Sequence, residues 1–91
     1  MTKIELVREI AAKTSLENKD VMVIVESLMQ TIKTSMSEGE EVFLRGFGSF
    51  IIKHRAEKTA RNISKNITII VPAHDIPAFN PAKEFMEQVK G

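Results

Sequence analysis

Five cations lie within one stretch of this chain, residues 51 to 76, and their clustering suits the binding of a polyanion. They are Lys53, Arg55, Lys58, Arg61 and Lys65. Only Glu57 and Asp75 oppose them, so this stretch has a net charge of +3, although the whole chain of 91 residues has only +1. Positive charge concentrated on one element predicts a nucleic-acid contact. The alternative is that these charges merely keep an exposed hairpin soluble and its edges unpaired.

The same stretch is predicted to form a β-hairpin arm. Two extended runs of about ten residues each flank a polar tip, Arg61 to Asn66, where a turn is expected. The stretch contains no aromatic residue, and two strands alone are marginally stable in water. We therefore expect this arm to become fully ordered against a partner outside the chain, and a polyanion is the partner that its charge favours.

Two helices are predicted before the arm. Thr2 and Glu5 fit a capping box, in which Glu5 reaches back to the start of the helix. After a break at Thr14 and Ser15, a longer helix is expected over about residues 18 to 37, where helical periodicity resumes. Gly39 then provides a C-terminal cap.

The apolar stripe of the second helix is wider than one small neighbour covers. Without the 26 arm residues only 65 of the 91 remain to build a core, which is near the lower limit for an independent domain. We therefore predict a dimer with the long helix packed across a two-fold axis; the alternative is a buried helix within a monomer. The predicted dimer core consists of Val25, Leu28, Met29, Ile32, Phe47, Phe50 and Phe79.

Strand periodicity follows Gly39 and surrounds the motif Gly46-Phe47-Gly48. The two glycines permit a tight turn or a close approach of the backbone to another surface. All five phenylalanines lie outside residues 51 to 76. This placement assigns them to packing and argues against the stacking of single-stranded bases, which requires exposed rings on the binding surface.

Several protein classes are disfavoured by the composition. The absence of cysteine excludes disulfides and thiolate metal sites, and neither a membrane span nor a secretory signal is recognisable. His54 and His74 could face each other near the arm base, but two histidines without a third ligand make a poor metal site, and a solvated or phosphate-facing pair is the favoured interpretation. No catalytic constellation is visible, so we predict a non-enzymatic protein without cofactor, metal or small-molecule substrate.

The order of the motifs resembles the HU and integration host factor family of bacterial histone-like DNA-bending proteins. The resemblance covers the whole chain and joins Gly46 to Phe50, His54 to Glu57, Arg61-Asn62 and Ile76 to Phe79. It implies one α+β domain, residues 1 to 91, that forms an intertwined dimer with a helical base, a short antiparallel sheet and two protruding β-hairpin arms. The implied dimerising body is 1–50 and 77–91, and the implied DNA-binding arm is 51–76.

The resemblance also implies which residues contact DNA. Arg55, Lys58, Arg61 and Asn62 match groove and phosphate contacts, and Lys53 matches a cation at the arm base. Lys3 and Lys83 match body positions that hold the flanking DNA, while Arg45 and Ser49 are candidate phosphate clamps. Asn80 and Pro81 are independently predicted to start the last helix, as its cap and its first residue.

The tip departs from the family pattern. Ile63 replaces a proline, Lys65 a threonine and Asn66 a glycine, and Ile67, Ile69 and Ile70 replace residues that are commonly charged. Isoleucine is among the apolar wedges that unstack base steps, so we include Ile63 and Lys65 in the DNA-binding set; the alternative for Ile63 is packing on the hairpin. The three isoleucines predict weaker and less salt-sensitive binding than that of a lysine-rich relative.

The sequence therefore predicts a cytoplasmic, nucleoid-associated protein that binds the minor groove of double-stranded DNA and bends or compacts it with little sequence specificity. A homodimer is expected, and a heterodimer with a paralogue is the alternative. A different function remains open, in which the dimer uses its arms as a protein-binding clasp through their isoleucines. Structured RNA is a third candidate for the partner, but its groove dimensions suit the arm poorly.

Overall fold

The computed structural model describes all 91 residues as three α-helices and five β-strands. In chain order the elements are α1 (Lys3–Thr14), α2 (Asn18–Ser37), β1 (Val42–Leu44), β2 (Gly48–Arg55), β3 (Lys58–Asn62), β4 (Ile67–Val71), β5 (His74–Pro81) and α3 (Lys83–Lys90). Strands β1, β2 and β5 form one antiparallel sheet, and β3 and β4 form a second. The predicted α+β class is confirmed.

The start of α1 differs in one detail from the predicted capping box. The Glu5 backbone N–H donates to the Thr2 hydroxyl oxygen at 3.3 Å, as expected for an N-cap. The Glu5 carboxylate accepts from the same hydroxyl group at 3.2 Å, whereas the prediction had it reaching back to the start of the helix. Ser15, at φ 60°, ends α1 in the left-handed conformation, so the predicted break between the helices is confirmed.

Helix α2 has the predicted bounds, and its C-terminus is fixed by a Schellman motif. Gly39 adopts φ 87° and donates its N–H to the Met36 carbonyl at 3.0 Å. The Glu40 N–H reaches back to the Ser35 carbonyl, also at 3.0 Å. These two hydrogen bonds are the pair that defines the motif, and glycine supplies the positive φ without steric cost.

The two glycines beside Phe47 serve different purposes. Gly46 adopts φ 81° in the turn between β1 and β2, which is closed by the Phe47 N–H donating to the Leu44 carbonyl at 2.9 Å. Gly48 is buried where a Cβ atom would lie 2.5 Å from the Phe79 ring and 2.7 Å from the Asn80 carbonyl oxygen. One glycine makes the turn and the other permits close packing.

The predicted start of the last helix is wrong. Asn80 and Pro81 belong to β5, where they pair with Ser49 and Gly48 of β2. Helix α3 begins at Lys83, and its N-cap residue Ala82 has no side-chain cap; the Ala82 N–H instead donates to the Phe47 carbonyl at 2.9 Å. Sheet pairing therefore outweighs the local helix-start signal.

The buried core of a single chain is very small. Only Val7, Ala11 and Val21, together with Gly48, are buried. The radius of gyration is 18.8 Å, whereas a compact chain of this length is expected to have about 12 Å. The chain is therefore extended, and most of its apolar surface is not covered by its own elements.

Much of this open surface belongs to the residues assigned to a dimer core. Leu28, Met29, Phe47 and Phe79 are exposed in the single chain, and Val25, Ile32 and Phe50 are half-buried. The phenylalanines nevertheless form one cluster: Phe47 stacks on Phe85 with ring centroids 5.1 Å apart, and Phe79 lies 5.0 Å from Phe50. This cluster has an apolar side without a partner in the chain, as a dimer interface requires.

Candidate nucleic-acid interface

The hairpin of β3 and β4 stands apart from the rest of the protein. Its strands pair with each other from Lys58 opposite Val71 to Asn62 opposite Ile67, and they belong to a separate sheet. From Lys53 to Asp75 every residue is exposed except the half-buried Asn62. We call the segment 58–71 the arm hairpin. It has no packing surface within its own chain to hold it against the body.

The body sheet extends further toward the arm than the predicted division at residues 51 and 76. Strands β2 and β5 remain paired as far as Arg55 opposite His74. Pairing is then interrupted at residues 56–57 and 72–73, beyond which β3 and β4 begin. Pro72 lacks an N–H and does not donate to a ladder, which accounts for one side of this interruption.

Two asparagines shape the tip of the arm hairpin. Asn66 adopts φ 51°, the left-handed conformation expected of it. Its side-chain oxygen accepts a hydrogen bond from the Arg61 guanidinium at 2.7 Å. Across the turn, the Asn62 side-chain oxygen accepts from the Lys65 N–H at 3.3 Å. The turn is thus held by side chains on both of its sides.

Ile63 occupies the outermost part of this tip. It is 88% exposed, so it does not pack on the hairpin. An apolar side chain that projects fully into solvent contributes nothing to the fold of its own chain, and it is free to enter another surface.

The arm cations have no carboxylate partner. Lys53, Arg55, Lys58, Arg61 and Lys65 are all exposed, and none takes part in the salt bridges of the chain. Arg61 donates to an uncharged amide, which leaves its positive charge uncompensated. The positive charges of these five side chains are therefore exposed to solvent and not compensated within the chain.

Two of the three body cations that were assigned to DNA contact are paired with carboxylates. Lys3 forms an ion pair with Glu26 of α2, and Lys83 lies 4.0 Å from Glu87, one turn along α3. A phosphate at either lysine would compete with a carboxylate. Arg45, in the turn between β1 and β2, is exposed without a salt bridge, and Ser49 is half-buried within β2.

The strand register places the three arm isoleucines, which were predicted to act as one group, on two different faces of the arm hairpin. Opposed residues of an antiparallel pair share a face, so one face carries Ala60, Ile67, Ile69 and Val71. We call these four residues the apolar row. Ile70 lies on the opposite face with Arg61. Sequence reasoning missed the row, although strict alternation from the Asn66 turn contained the necessary signal.

The two histidines do not face each other, so that prediction is wrong. His54 is opposite Asp75, and its Nδ1 lies 2.8 Å from the Asp75 carboxylate. His74 is adjacent to Asp75 and therefore lies on the other face, where its Nδ1 is 2.9 Å from the Pro72 carbonyl oxygen. No group of three or more His, Cys, Asp or Glu side chains is arranged to hold a metal ion.

Comparison with known proteins assigns this architecture to a family. The family model described as bacterial DNA-binding protein matches residues 1–90. Integration host factor subunit beta from Marinobacter nauticus is 44% identical over 90 residues, which are 98% of this chain and 92% of that protein. The DNA-binding protein HU of Thermotoga maritima is 36% identical over 90 residues, 99% of this chain and all of the relative.

The chain belongs to the HU and integration host factor family of bacterial DNA-binding proteins. Members of this family are architectural DNA-binding proteins rather than known enzymes. The predicted family is therefore confirmed, and with it the class of partner. None of the three helices has the combination of length and apolar character that a membrane-spanning helix needs.

Solved structures of the family agree with the fold. The chain of an Anabaena HU-DNA cocrystal structure superposes with a TM-score of 0.92 at 37% identity, covering 98% of this chain and 97% of the other. HU from Thermotoga maritima gives a TM-score of 0.69 at 29% identity with 98% coverage of both chains.

Proposed function

We propose that this HU-family chain binds the minor groove of duplex DNA through its arm hairpin and bends or compacts the duplex with little sequence specificity. The observation that carries the proposal is the exposed segment from Lys53 to Asp75, whose five cations form no salt bridge with a carboxylate. Duplex DNA carries one negative charge per about 1.7 Å of its axis. It supplies both the counter-charge and the contact surface that the arm lacks within its own chain.

The form that binds is proposed to be a dimer, with a heterodimer between paralogous chains as the alternative to a homodimer. Its support is the exposed apolar surface of α2 and of the phenylalanine cluster, together with a radius of gyration too large for a compact monomer. Residues 1–50 and 77–91 form the proposed dimerising body and residues 51–76 the proposed arm. A dimer presents two arms, one to each side of a bend.

The residues divide by role. We assign phosphate and groove contacts on the arm to Lys53, Arg55, Lys58, Arg61, Asn62 and Lys65, and contacts with flanking DNA to Lys3, Arg45, Ser49 and Lys83. Ile63 is assigned the wedge that unstacks a base step at each arm tip, because an exposed apolar side chain at that place performs this role in minor-groove binders. A nucleoid-associated location in the cytoplasm follows from this function.

Substitution of Arg61 tests the assignment of the arm. Arg61→Ala removes one uncompensated charge from each arm, and Arg8→Ala removes one from the exposed side of α1 as a matched control. Binding is measured by gel shift on intact, nicked and four-way-junction duplexes. Arg61→Ala is expected to weaken binding to all three, whereas Arg8→Ala leaves it close to that of the parent. Equal effects of the two variants would contradict a role for the arm.

Amide NMR distinguishes DNA binding from a protein-binding clasp. Excess duplex DNA is expected to shift the amide signals of residues 58–71 and protect them from exchange. Unchanged arm signals would favour the clasp, in which the isoleucines join the sheet edge of a protein partner. Competition between duplex DNA and duplex RNA completes the comparison, and DNA is expected to win.

A further inference from the structure

We propose that His74 is a further phosphate contact of each arm and that it holds the phosphate only when its ring is protonated. The affinity of the protein for DNA then rises as the pH falls from about 7.5 to about 5.5, the range in which histidine changes its charge. This inference rests on the proposed function, because the phosphate belongs to the duplex that the arm binds. It adds a pH-dependent contact to the permanent charges of lysine and arginine.

His74 lines a recess at the base of the arm hairpin in which every ionisable residue is basic. The residues around this recess are Arg55, Ala56, Lys58, Val71, His74 and Ile76. Arg55 is directly opposite His74 in the register of β2 and β5, and opposed residues share a face of the sheet. The recess has a volume of about 350 Å³, which leaves room for a phosphate group. Two permanent cations and one titratable ring therefore surround a space that suits an anion.

A hydrogen bond of the His74 ring decides which of its nitrogens takes up the proton. The Nδ1 atom lies 2.9 Å from the Pro72 carbonyl oxygen. A carbonyl oxygen only accepts, so Nδ1 carries the hydrogen in the neutral ring. The proton is therefore gained at Nε2, which becomes a second N–H donor on a positively charged ring. The bond to Pro72 also restricts the orientation of the ring, since it ties Nδ1 to the backbone two residues earlier.

The charged groups that face His74 are all positive. Arg55 and Lys58 line the recess with it, and Lys53 follows Arg55 along the same face of β2. Asp75 is adjacent in sequence but lies on the other face of β5, where His54 engages its carboxylate. No carboxylate of the recess balances a protonated His74 ring, so the new charge is available to a phosphate, for which charge-assisted hydrogen bonds are strong.

His54 provides a comparison at the same end of the sheet. It is exposed, as His74 is, but its Nδ1 atom lies 2.8 Å from the Asp75 carboxylate. A proton taken up by His54 is therefore balanced by a negative charge within the chain. The two histidines are expected to differ accordingly, because only His74 adds a charge that a phosphate can neutralise.

The size of the effect follows from counterion release. Each phosphate that is neutralised contributes about 0.9 to the slope of log affinity against log salt, which in about 0.1 M salt is worth up to about eightfold in affinity. We expect the parent protein to bind duplex DNA at least about fivefold more tightly at the lower pH than at the higher pH. The salt slope is expected to be steeper at the lower pH by up to about 0.9 per subunit.

Three variants test the assignment in phosphate-free buffers of equal ionic strength. His74→Gln is expected to bind at both pH values as the parent does at the higher pH. His74→Lys supplies a permanent charge and is expected to bind at the higher pH as tightly as the parent does at the lower pH. His54→Gln is the matched control and is expected to keep the parental pH dependence. The N-terminal amine is common to all four proteins, so its titration does not distinguish them. Circular dichroism checks that the variants fold, since both histidines are exposed.

NMR of the imidazole nitrogens gives a readout that is independent of affinity. At a pH of about 6.5, near the middle of the histidine range, saturating duplex DNA is expected to move the His74 nitrogen signals toward those of the doubly protonated ring. A ligand that binds the protonated form better raises its population. The His54 signals are expected to change much less.

The outcomes separate this inference from the proposed function. Equal affinities of the parent at the two pH values would overturn the inference while leaving DNA binding intact. A pH dependence that His54→Gln abolishes and His74→Gln retains would do the same, as would His74 nitrogen signals that DNA leaves unchanged. Failure of the parent to bind duplex DNA at either pH would overturn the proposed function itself.

Discussion

Replacing Ile63 by alanine is expected to reduce the bending of DNA without reducing the stability of the protein. Ile63 is 88% exposed, so its removal is expected to change the free energy of unfolding by no more than about 0.5 kcal/mol. The hydrogen bonds of the tip involve the side chains of Arg61, Asn62 and Asn66 rather than that of Ile63. The turn therefore remains, and any large effect of Ile63→Ala arises in the complex with DNA.

The magnitude follows from the carbons removed. Isoleucine has three side-chain carbons beyond Cβ, and burial contributes about 0.8 kcal/mol for each methylene-sized group. If Ile63 is inserted between base pairs, Ile63→Ala thus removes about 2.4 kcal/mol of burial free energy in each arm. This corresponds to about a 50-fold decrease in the population of the kinked state. Phosphate contacts are unchanged, so the affinity falls less than the bending.

Energy transfer between dyes at the two ends of a short duplex measures the bend at saturating protein. Ile63→Ala is expected to lower the transfer efficiency to near that of free DNA, whereas Ile63→Leu, which keeps an apolar wedge, is expected to retain most of it. Denaturant unfolding of the same variants is the control. Parental transfer efficiency in Ile63→Ala would refute the wedge, as would a loss of unfolding free energy large enough to explain the loss of bending.

Two further predictions concern the body and the arm charges. Gly48→Ala is expected to destabilise the protein by about 3 kcal/mol, because the new methyl group meets the Phe79 ring and a backbone carbonyl. Gly46→Asn, at an open position with φ 81°, is the control: it is expected to lower the denaturant midpoint less than Gly48→Ala does, because asparagine tolerates positive φ better than most residues. Equal midpoints for Gly48→Ala and the parent would contradict the close packing. Lys58→Ala is expected to make the slope of log affinity against log salt shallower by about 0.9 per subunit, and an unchanged slope would mean that Lys58 neutralises no phosphate.

The helices were largely predictable because their signals are local. The bounds of α2 follow from helical periodicity and from Gly39, which ends the helix through hydrogen bonds within six residues. The start of α3 was not predictable in the same way. Asn80 and Pro81 carry a good helix-start signal, but their pairing with β2 depends on residues about 30 positions earlier in the chain.

The site was predictable in its composition but not in its faces. The cations, the tip and the left-handed Asn66 are visible in the sequence, since each depends on residue type and short spacing. The faces depend on the register: a shift of one residue exchanges them. For this reason His54 meets Asp75 rather than His74, and Ile70 separates from Ile67 and Ile69.

The occupancy of the minor groove by the arm is tested most directly by NMR of the protein with methyl-labelled isoleucine bound to duplex DNA. The adenine H2 proton lies on the minor-groove edge, and the thymine methyl group lies on the major-groove edge. We predict nuclear Overhauser effects from the Ile63 and Ile69 methyl groups to adenine H2 and deoxyribose protons. Contacts to thymine methyl groups instead, or arm methyl signals unchanged by saturating DNA, would contradict the account.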